Sequence, residues 1–196
     1  MSSSTTSPAG AVEPTSHLQT ITLAGGCFWC VEAAMLALDG VLEATSGYAQ
    51  GHVDDPSYEQ VCRGTTGHAE AVRVRFDPQR LSLQRLLDVF FTIHDPTTPN
   101  RQGADVGPQY RSGIYFEQPQ HEAPLRDYMN RMRAGGRYAQ PIVTEVEALR
   151  VFWPAEAYHQ RYFEQHPDQG YCQVVIAPKM AKLQRDFGSE LLHART

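Results

Sequence analysis

Thr20-Ile21-Thr22-Leu23-Ala24-Gly25-Gly26-Cys27-Phe28-Trp29-Cys30 sets the reading of the whole chain. Its first half alternates polar and apolar side chains and predicts a strand. Its second half opens a run with Phe28, Val31, Met35 and Leu38 on one helical face, stopped by Asp39-Gly40. Cys27 therefore falls at a strand-to-helix junction, where free backbone N–H groups and the positive end of the helix dipole favour an anion. A thiolate is such an anion, and this setting lowers a cysteine pKa from about 8.5 into the range of roughly 3.5–7.5. A Gly-Gly approach and a second thiol three residues on point to a reactive cysteine rather than a buried structural one.

Outward from this junction, strands and helices follow in mixed order. Val41–Tyr48 predicts a second strand, and Gly51, Asp54, Asp55 and Pro56 mark a loop. Ser57 then opens a short helix, with Gln60 in capping-box position. Glu70–Phe76 alternates and predicts a strand closed by Asp77-Pro78, and Leu83, Leu86, Leu87 and Phe90 define an amphipathic helix after Ser82. Asp95 to Gln109 is rich in Pro, Gly, Thr, Asn and Asp, a loop longer than a simple connector needs. Tyr110–Phe116 is the next strand, Leu125 to Met132 a helix ended by Gly135-Gly136, and Ile142–Ala148 a further strand. A short helix over Glu156–Phe163, a last strand over Gln173–Ala177 and a helix through Phe187 complete the pattern. There are no internal repeats, and the mixed order predicts one α+β domain.

The chain has 196 residues, a length that buries a full core within one domain. Apolar residues make up 41% and charged residues 20%, and the net charge of −5 comes with scattered Lys and Arg, which excludes a nucleic-acid footprint. No apolar run is long enough to span a membrane. Residues 1–16 are Ser, Thr, Pro and Ala without an apolar centre or an Arg, so they read as a disordered leader, not as a secretory or transit signal, before a catalytic domain over 17–196. Without an export signal, the four cysteines are expected as reduced or redox-active thiols in the cytoplasm.

Glu70 is the second informative residue. In its strand, Glu70, Val72, Val74 and Phe76 share one face and Ala71, Arg73 and Arg75 the other, so the arginines mark the wet side and place Glu70 on the apolar one. A desolvated carboxyl holds its proton towards neutrality. A frayed strand end that turned Glu70 to solvent is the alternative on periodicity alone. Phe28 and Trp29 read equally as core packing of the first helical turn. His68 is expected as a hydrogen-bonded structural histidine and Cys62 as a packed thiol.

Gly26-Cys27-Phe28-Trp29 resembles the active-site motif of the peptide methionine sulfoxide reductases of the A class, which reduce the S epimer of methionine sulfoxide. Gly67-His68-Ala69-Glu70-Ala71-Val72, the run from Gln102 to Ser112, and Gly170-Tyr171-Cys172 resemble the same family, in consistent order over about Leu18 to Phe187. The resemblance implies a two-layer α/β sandwich with a ferredoxin-like core. It implies that Cys27 attacks the sulfoxide sulfur while Glu70 protonates the oxygen, leaving methionine and a sulfenic acid on Cys27. It implies an aromatic pocket for the S-methyl group from Phe28 and Trp29, hydrogen bonds to the sulfoxide oxygen from Tyr58 and Tyr110, and a substrate-positioning carboxylate in Asp105. No cofactor and no metal are expected. A second thiol resolves the sulfenic acid to a disulfide, which thioredoxin or another dithiol reduces. The expected partners are methionine sulfoxide, free or in proteins, and thioredoxin, with the chain a monomer that binds neither nucleic acid nor membrane.

Two thiols compete as the resolving one. Cys30 stands one helical turn from Cys27 in Cys-x-x-Cys spacing. Cys172 matches a resolving position of many family members, but those carry Gly at the position of Cys30 and a glycine-rich tail after the Tyr-Cys pair. Here Gln173-Val174-Val175-Ile176-Ala177-Pro178 follows and reads as a strand. Both stay open. Two other classes fit parts of the pattern: a thioredoxin-type thiol–disulfide oxidoreductase, which needs no Glu70, and a zinc module on Cys27, Cys30, Cys172 and a histidine, which lacks a second close ligand pair.

Overall fold

The computed structural model describes residues 17–192, and the leader expected over residues 1–16 lies outside the described residues. The chain begins with β1 (Gln19–Gly25), α1 (Phe28–Leu36), β2 (Val41–Ala49), α2 (Tyr58–Cys62), β3 (Ala69–Phe76) and α3 (Leu83–Ile93). A two-residue hairpin pair, β4 (Arg101–Gln102) and β5 (Asp105–Val106), sits in the long loop before β6 (Ser112–Phe116). Then come α4 (Glu122–Ala134), β7 (Glu145–Ala148), β8 (Phe152–Pro154), α5 (Tyr162–Gln165) and α6 (Ala177–Phe187).

The six-stranded sheet runs β7-β6-β1-β3-β2-β8. Its centre, β6-β1-β3-β2, is antiparallel throughout, with α1 linking β1 to β2 and α3 linking β3 to β6. Numbered among themselves these four strands lie in the order 4-1-3-2, the ferredoxin-like arrangement. β8 extends one edge antiparallel to β2, and β7 extends the other parallel to β6. Among the described residues no helix is long and apolar enough to cross a membrane.

α1 buries Phe28, Cys30, Val31, Ala34 and Met35, more than one stripe, because it is packed against β2, β3 and α3 together. α3 is capped by Ser82, whose hydroxyl accepts from Arg85 N–H, and buries Leu86, Leu87, Phe90 and Phe91 on its inner face. Each of these side chains contributes roughly 1.5–3 kcal/mol by leaving water. The capping box expected at Ser57 and Gln60 is formed.

β3 carries the alternation to its end: Glu70, Val72, Val74 and Phe76 are buried, and Arg73 and Arg75 reach Glu117 and Glu43 at the surface. The arginine face is wet over only half its length. Ala71 joins Ala24, Ala49, Ala69 and Tyr115 in a second small core covered by Leu149 and Phe152. Short alanines on three adjacent strands make room for that cover.

The C-terminal segment departs from the expected strand. Cys172–Ile176 forms a turn of π-helix that runs directly into α6, and Pro178 lies just past that join, where the widened turn accommodates a residue with no N–H to donate. Ile176, Leu183 and Phe187 recur at helical spacing and bury against the α1–α3 layer. Burial of that stripe outweighs the strand preference of the Val174-Val175-Ile176 run. The expected helix over Glu156–Phe163 is split into a turn at Ala157–His159 and the short α5.

Candidate active site

The β1–α1 junction is a close approach of backbone. Gly26 has φ +87°, the left-handed region, and a Cβ on it would meet the Gln102 side chain at 2.5 Å. A Cβ on Gly25 would sit 2.8 Å from the Phe90 ring. Both positions require glycine, and together they turn the chain so that Cys27 becomes the N-cap of α1. Cys27 makes no side-chain cap bond, so the orphan N–H groups of the first turn are free for other partners.

Glu70 takes one of them. Phe28 N–H donates to Glu70 Oε2 at 3.1 Å, which anchors the carboxyl beside Cys27. Glu70 is only 1% exposed. Burial lifts its pKa to about 8, the Phe28 bond opposes this in part, and the Asp105 carboxylate adds to the rise. The group thus holds a proton at neutral pH.

Cys27 and Cys30 are 9% and 2% exposed, and Cys30 N–H bonds back to Cys27 O at 3.1 Å within the first turn. Their thiols interact directly. The depressed pKa expected for Cys27 is not what this geometry produces. Burial pushes Cys27 up, with contributions from the Cys30 and Glu70 charges, while Cys30 falls to about 7 because it accepts the Cys27 hydrogen bond and faces the Lys179 ammonium. Of the two sulfurs Cys30 is the more acidic, and the pair titrates together.

The remaining expected site residues are brought to the same place, with Cys172 buried close enough to Cys30 to feel its charge. The Phe28 ring is buried against Tyr48, Tyr58 and His159, with centroids 6.0, 6.4 and 5.1 Å away. Trp29 is half-buried, stacked on Tyr162 at 3.7 Å, and its indole N–H donates to His159 Nδ1 at 3.2 Å. Tyr58 opens α2 and Tyr110 ends the turn before β6. Both phenols are pushed up by burial and by the nearby Glu70 charge, so they face the carboxyl as neutral donors. Asp105, on β5, accepts a hydrogen bond from Tyr171 Oη at 2.8 Å. Cys172 is 0% exposed, sealed behind Cys30 in the π-turn, and its pKa is raised by burial and by the Cys30 charge.

Two further expectations are corrected. Cys62 is exposed, not packed. His68 is buried, but neither ring nitrogen has a hydrogen-bond partner among the described residues, and burial lowers its pKa to about 4. Side chains that sequence reasoning missed complete the site. Glu156 accepts from Tyr48 Oη at 2.6 Å and from Tyr58 N–H at 2.9 Å, tying β2 to α2. Tyr171 spans Asp105 and Cys30, its hydroxyl 4.0 Å from Cys30 Sγ. Its place beside Cys172 was the one available signal, whereas Glu156, His159 and Tyr162 come from a short irregular stretch without periodicity. Among the described residues no three His, Cys, Asp or Glu side chains are gathered to hold a metal.

Residues 19–191 match the family model described as peptide methionine sulfoxide reductase. A protein of Halobacterium salinarum named peptide methionine sulfoxide reductase MsrA is 50% identical over 171 residues, covering 87% of this chain and 97% of its own length. Among solved structures, the reduced form of Mxr1 from Saccharomyces cerevisiae is similar with a TM-score of 0.75 and 37% identity, over 81% of this chain and 91% of that one. Mxr1 in complex with Trx2 is similar with a TM-score of 0.54 and 27% identity, over 76% and 86% of the two chains.

Proposed function

The chain belongs to the peptide methionine sulfoxide reductase family, and from that premise we propose how its residues carry the reaction. The protein is an oxidoreductase that reduces the S epimer of methionine sulfoxide at the expense of thioredoxin. The observation that carries the residue assignment is the buried Glu70 carboxyl, protonated up to about pH 8 and bonded to the first amide of the helix that Cys27 caps. An acid and a thiol are thereby fixed at one helix end.

Cys27 gives its proton to Cys30 across their shared hydrogen bond and attacks the sulfoxide sulfur as the thiolate. Glu70 delivers its proton to the oxygen, with Tyr58 and Tyr110 as neutral donors around it. The hydroxyl then passes from the methionine sulfur to Cys27. The methionine S–O bond and the S–S bond break, a Cys27 S–O bond forms, and one electron pair returns to the methionine sulfur, so methionine leaves and Cys27 is a sulfenic acid. Phe28 and Trp29 form the apolar wall for the S-methyl group, and Asp105 orients the substrate backbone once Tyr171 releases it.

Cys30 resolves the sulfenic acid. It lies one turn away on the same helix and interacts with the Cys27 thiol, while Cys172 is fully buried in the π-turn of a separate segment. Thioredoxin then reduces the Cys27–Cys30 disulfide from the Cys27 side, which is the more exposed of the two. The cycle uses no bound cofactor: this chain supplies the groups up to the disulfide and thioredoxin supplies the dithiol that reduces it, which suits a monomer working in the reducing cytoplasm. Separated epimers of methionine sulfoxide, assayed with thioredoxin, test the reading. Reduction of the S epimer alone is expected, and equal turnover of both epimers would overturn it.

A further inference from the structure

The run from Gln102 to Ser112 carries Asp105 and Tyr110 between two end residues that take no part in the reaction itself. Both ends grip the same stretch, His94-Asp95, just past α3. Ser112 holds His94. Phe90 O can only accept, so His94 Nδ1 donates to it at 2.7 Å. Burial lowers the pKa of this imidazole to about 4, so the ring is neutral at pH 7 and Nε2 accepts from Ser112 Oγ at 2.9 Å. Ser112 Oγ accepts in turn from Thr144 Oγ1 at 2.8 Å, which fixes the ring from both sides.

Gln102 holds Asp95 from the other end. Its side-chain amide bonds one backbone position twice: Asp95 N–H donates to Oε1, and Nε2 donates to Asp95 O, each at 3.0 Å. The stem of the same side chain lies across the nucleophile turn. A Cβ on Gly26 would come within 2.5 Å of Gln102 Cγ and 2.6 Å of its Cβ, and one on Gly25 within 3.2 Å of His94 Cγ. The two glycines before Cys27 therefore rest on His94 and Gln102 in turn. Along the backbone, Gln102 pairs with Asp105 across the β4–β5 hairpin. A simple loop staple needs only the amide bonds. A stem packed on the glycine before Cys27, in the strand partner of Asp105, links the two halves of the site.

We propose that Gln102 is a positioning residue of the reductase site, the strut that fixes the Asp105 carboxylate relative to the Cys27 turn. The inference rests on the assignment of Asp105 to the substrate backbone. Gln102 touches no reacting atom and acts through Asp105, so its effect is confined to substrates that have a backbone to hold. A sulfoxide without one is placed by the apolar wall of Phe28 and Trp29 and by the donors around Glu70. Misplacing a bound group by about 1 Å costs on the order of 10²-fold in rate. The backbone pairing of the hairpin preserves part of the geometry, so a loss of about tenfold is expected when the amide bonds go.

The test uses the full chain with thioredoxin and two substrates. The methylamide of N-acetyl-methionine S-sulfoxide has a backbone on both sides, and dimethyl sulfoxide has none. Gln102→Met keeps a stem over Gly26 and removes both amide bonds. It should lower kcat/KM for the first substrate about tenfold, mainly through KM, and leave dimethyl sulfoxide within about twofold of wild type. Thr98→Val removes another bond of the same loop, the hydroxyl on Arg101 O at 2.6 Å, and is the control for loosening alone. It should leave both substrates within about twofold. Equal losses on the two substrates in Gln102→Met, the mark of general damage, would overturn the proposal. Unchanged rates on both, or the same selective loss in Thr98→Val, would overturn it too. Asp105→Asn separates this from its premise and should show a selective loss at least as large. Equal effects on both substrates in that variant would remove the Asp105 assignment itself, and the positioning role with it.

Discussion

Two regions meet at the paired thiols and are held in different ways. β1 is hydrogen-bonded on both sides, to β3 and β6, and α1 packs into the layer between sheet and α3. The C-terminal segment from Gly170 to Leu191 adds no strand to the main sheet. It is held by the apolar stripe of Ile176, Leu183 and Phe187, an isolated bridge between Leu38 and Leu191, and the Arg85–Glu190 ion pair. The first region fixes where Cys27 and Cys30 are, and the second covers Cys30 with Tyr171 and Cys172. An element with fewer sheet bonds opens locally at lower free energy, so the cover over Cys30 can be lost while the Cys27 position persists.

The largest effect breaks the first region alone. Cys27→Ser is expected to yield no methionine even with excess small-molecule thiol, because a hydroxyl cannot replace the thiolate. Product beyond background, measured by chromatography, would return the search for the nucleophile to Cys30. Next in size is Glu70→Gln, expected to slow the burst of methionine by ~10²–10⁴-fold with smaller change in substrate affinity. The pH dependence has a definite sign. Glu70 is raised to about 8, so wild-type burst rate should fall as pH rises through that value, and the Gln variant should lack that descent.

Stability follows the same linkage. A carboxyl raised above its unfolded value contributes stability that is full below about pH 4 and is lost as pH rises through its folded pKa near 8. Thermal melts at pH 9 should therefore show Glu70→Gln more stable than wild type, and the advantage should shrink towards pH 5. The smallest effect sharpens the contrast between regions: Cys172→Ser should lower thioredoxin-dependent turnover by less than about threefold, whereas Cys30→Ser should leave Cys27 as trapped sulfenic acid after one turnover. Mass spectrometry of the quenched peptides checks both.

The sequence exposes the first region far more fully than the second, for a physical reason. Strands and helices under one core repeat their apolar residues at the period of their own geometry, so Glu70 could be placed on the buried side of β3 from Val72, Val74 and Phe76. The Gly-Gly turn likewise announced the helix that Cys27 caps. At Gln173–Ile176 two periods overlap. The β-branched run favours a strand, yet Ile176, Leu183 and Phe187 continue at helical spacing; tertiary burial decided between them. The raised pKa of Cys27 was beyond local reading, because burial by the whole fold outweighs the helix start that favours a thiolate. Glu156 and His159 entered by the same route, from an irregular stretch whose contacts are all long-range.

The single helical turn between Cys27 and Cys30 also decides how much heat resistance oxidation confers. Closing a loop of four residues removes little freedom from the unfolded chain, about 2 kcal/mol by chain entropy, whereas a bridge from Cys27 to Cys172 would close a loop of roughly 150 residues and remove about 5 kcal/mol. An enzyme that cycles through the short bridge passes between oxidation states whose melting temperatures differ by roughly 4–8 °C, less than half the gap the long bridge would open. Its reductant works against a smaller stored conformational advantage than the long bridge would give, and a half-oxidised pool would melt over a range only a few degrees wider than either form.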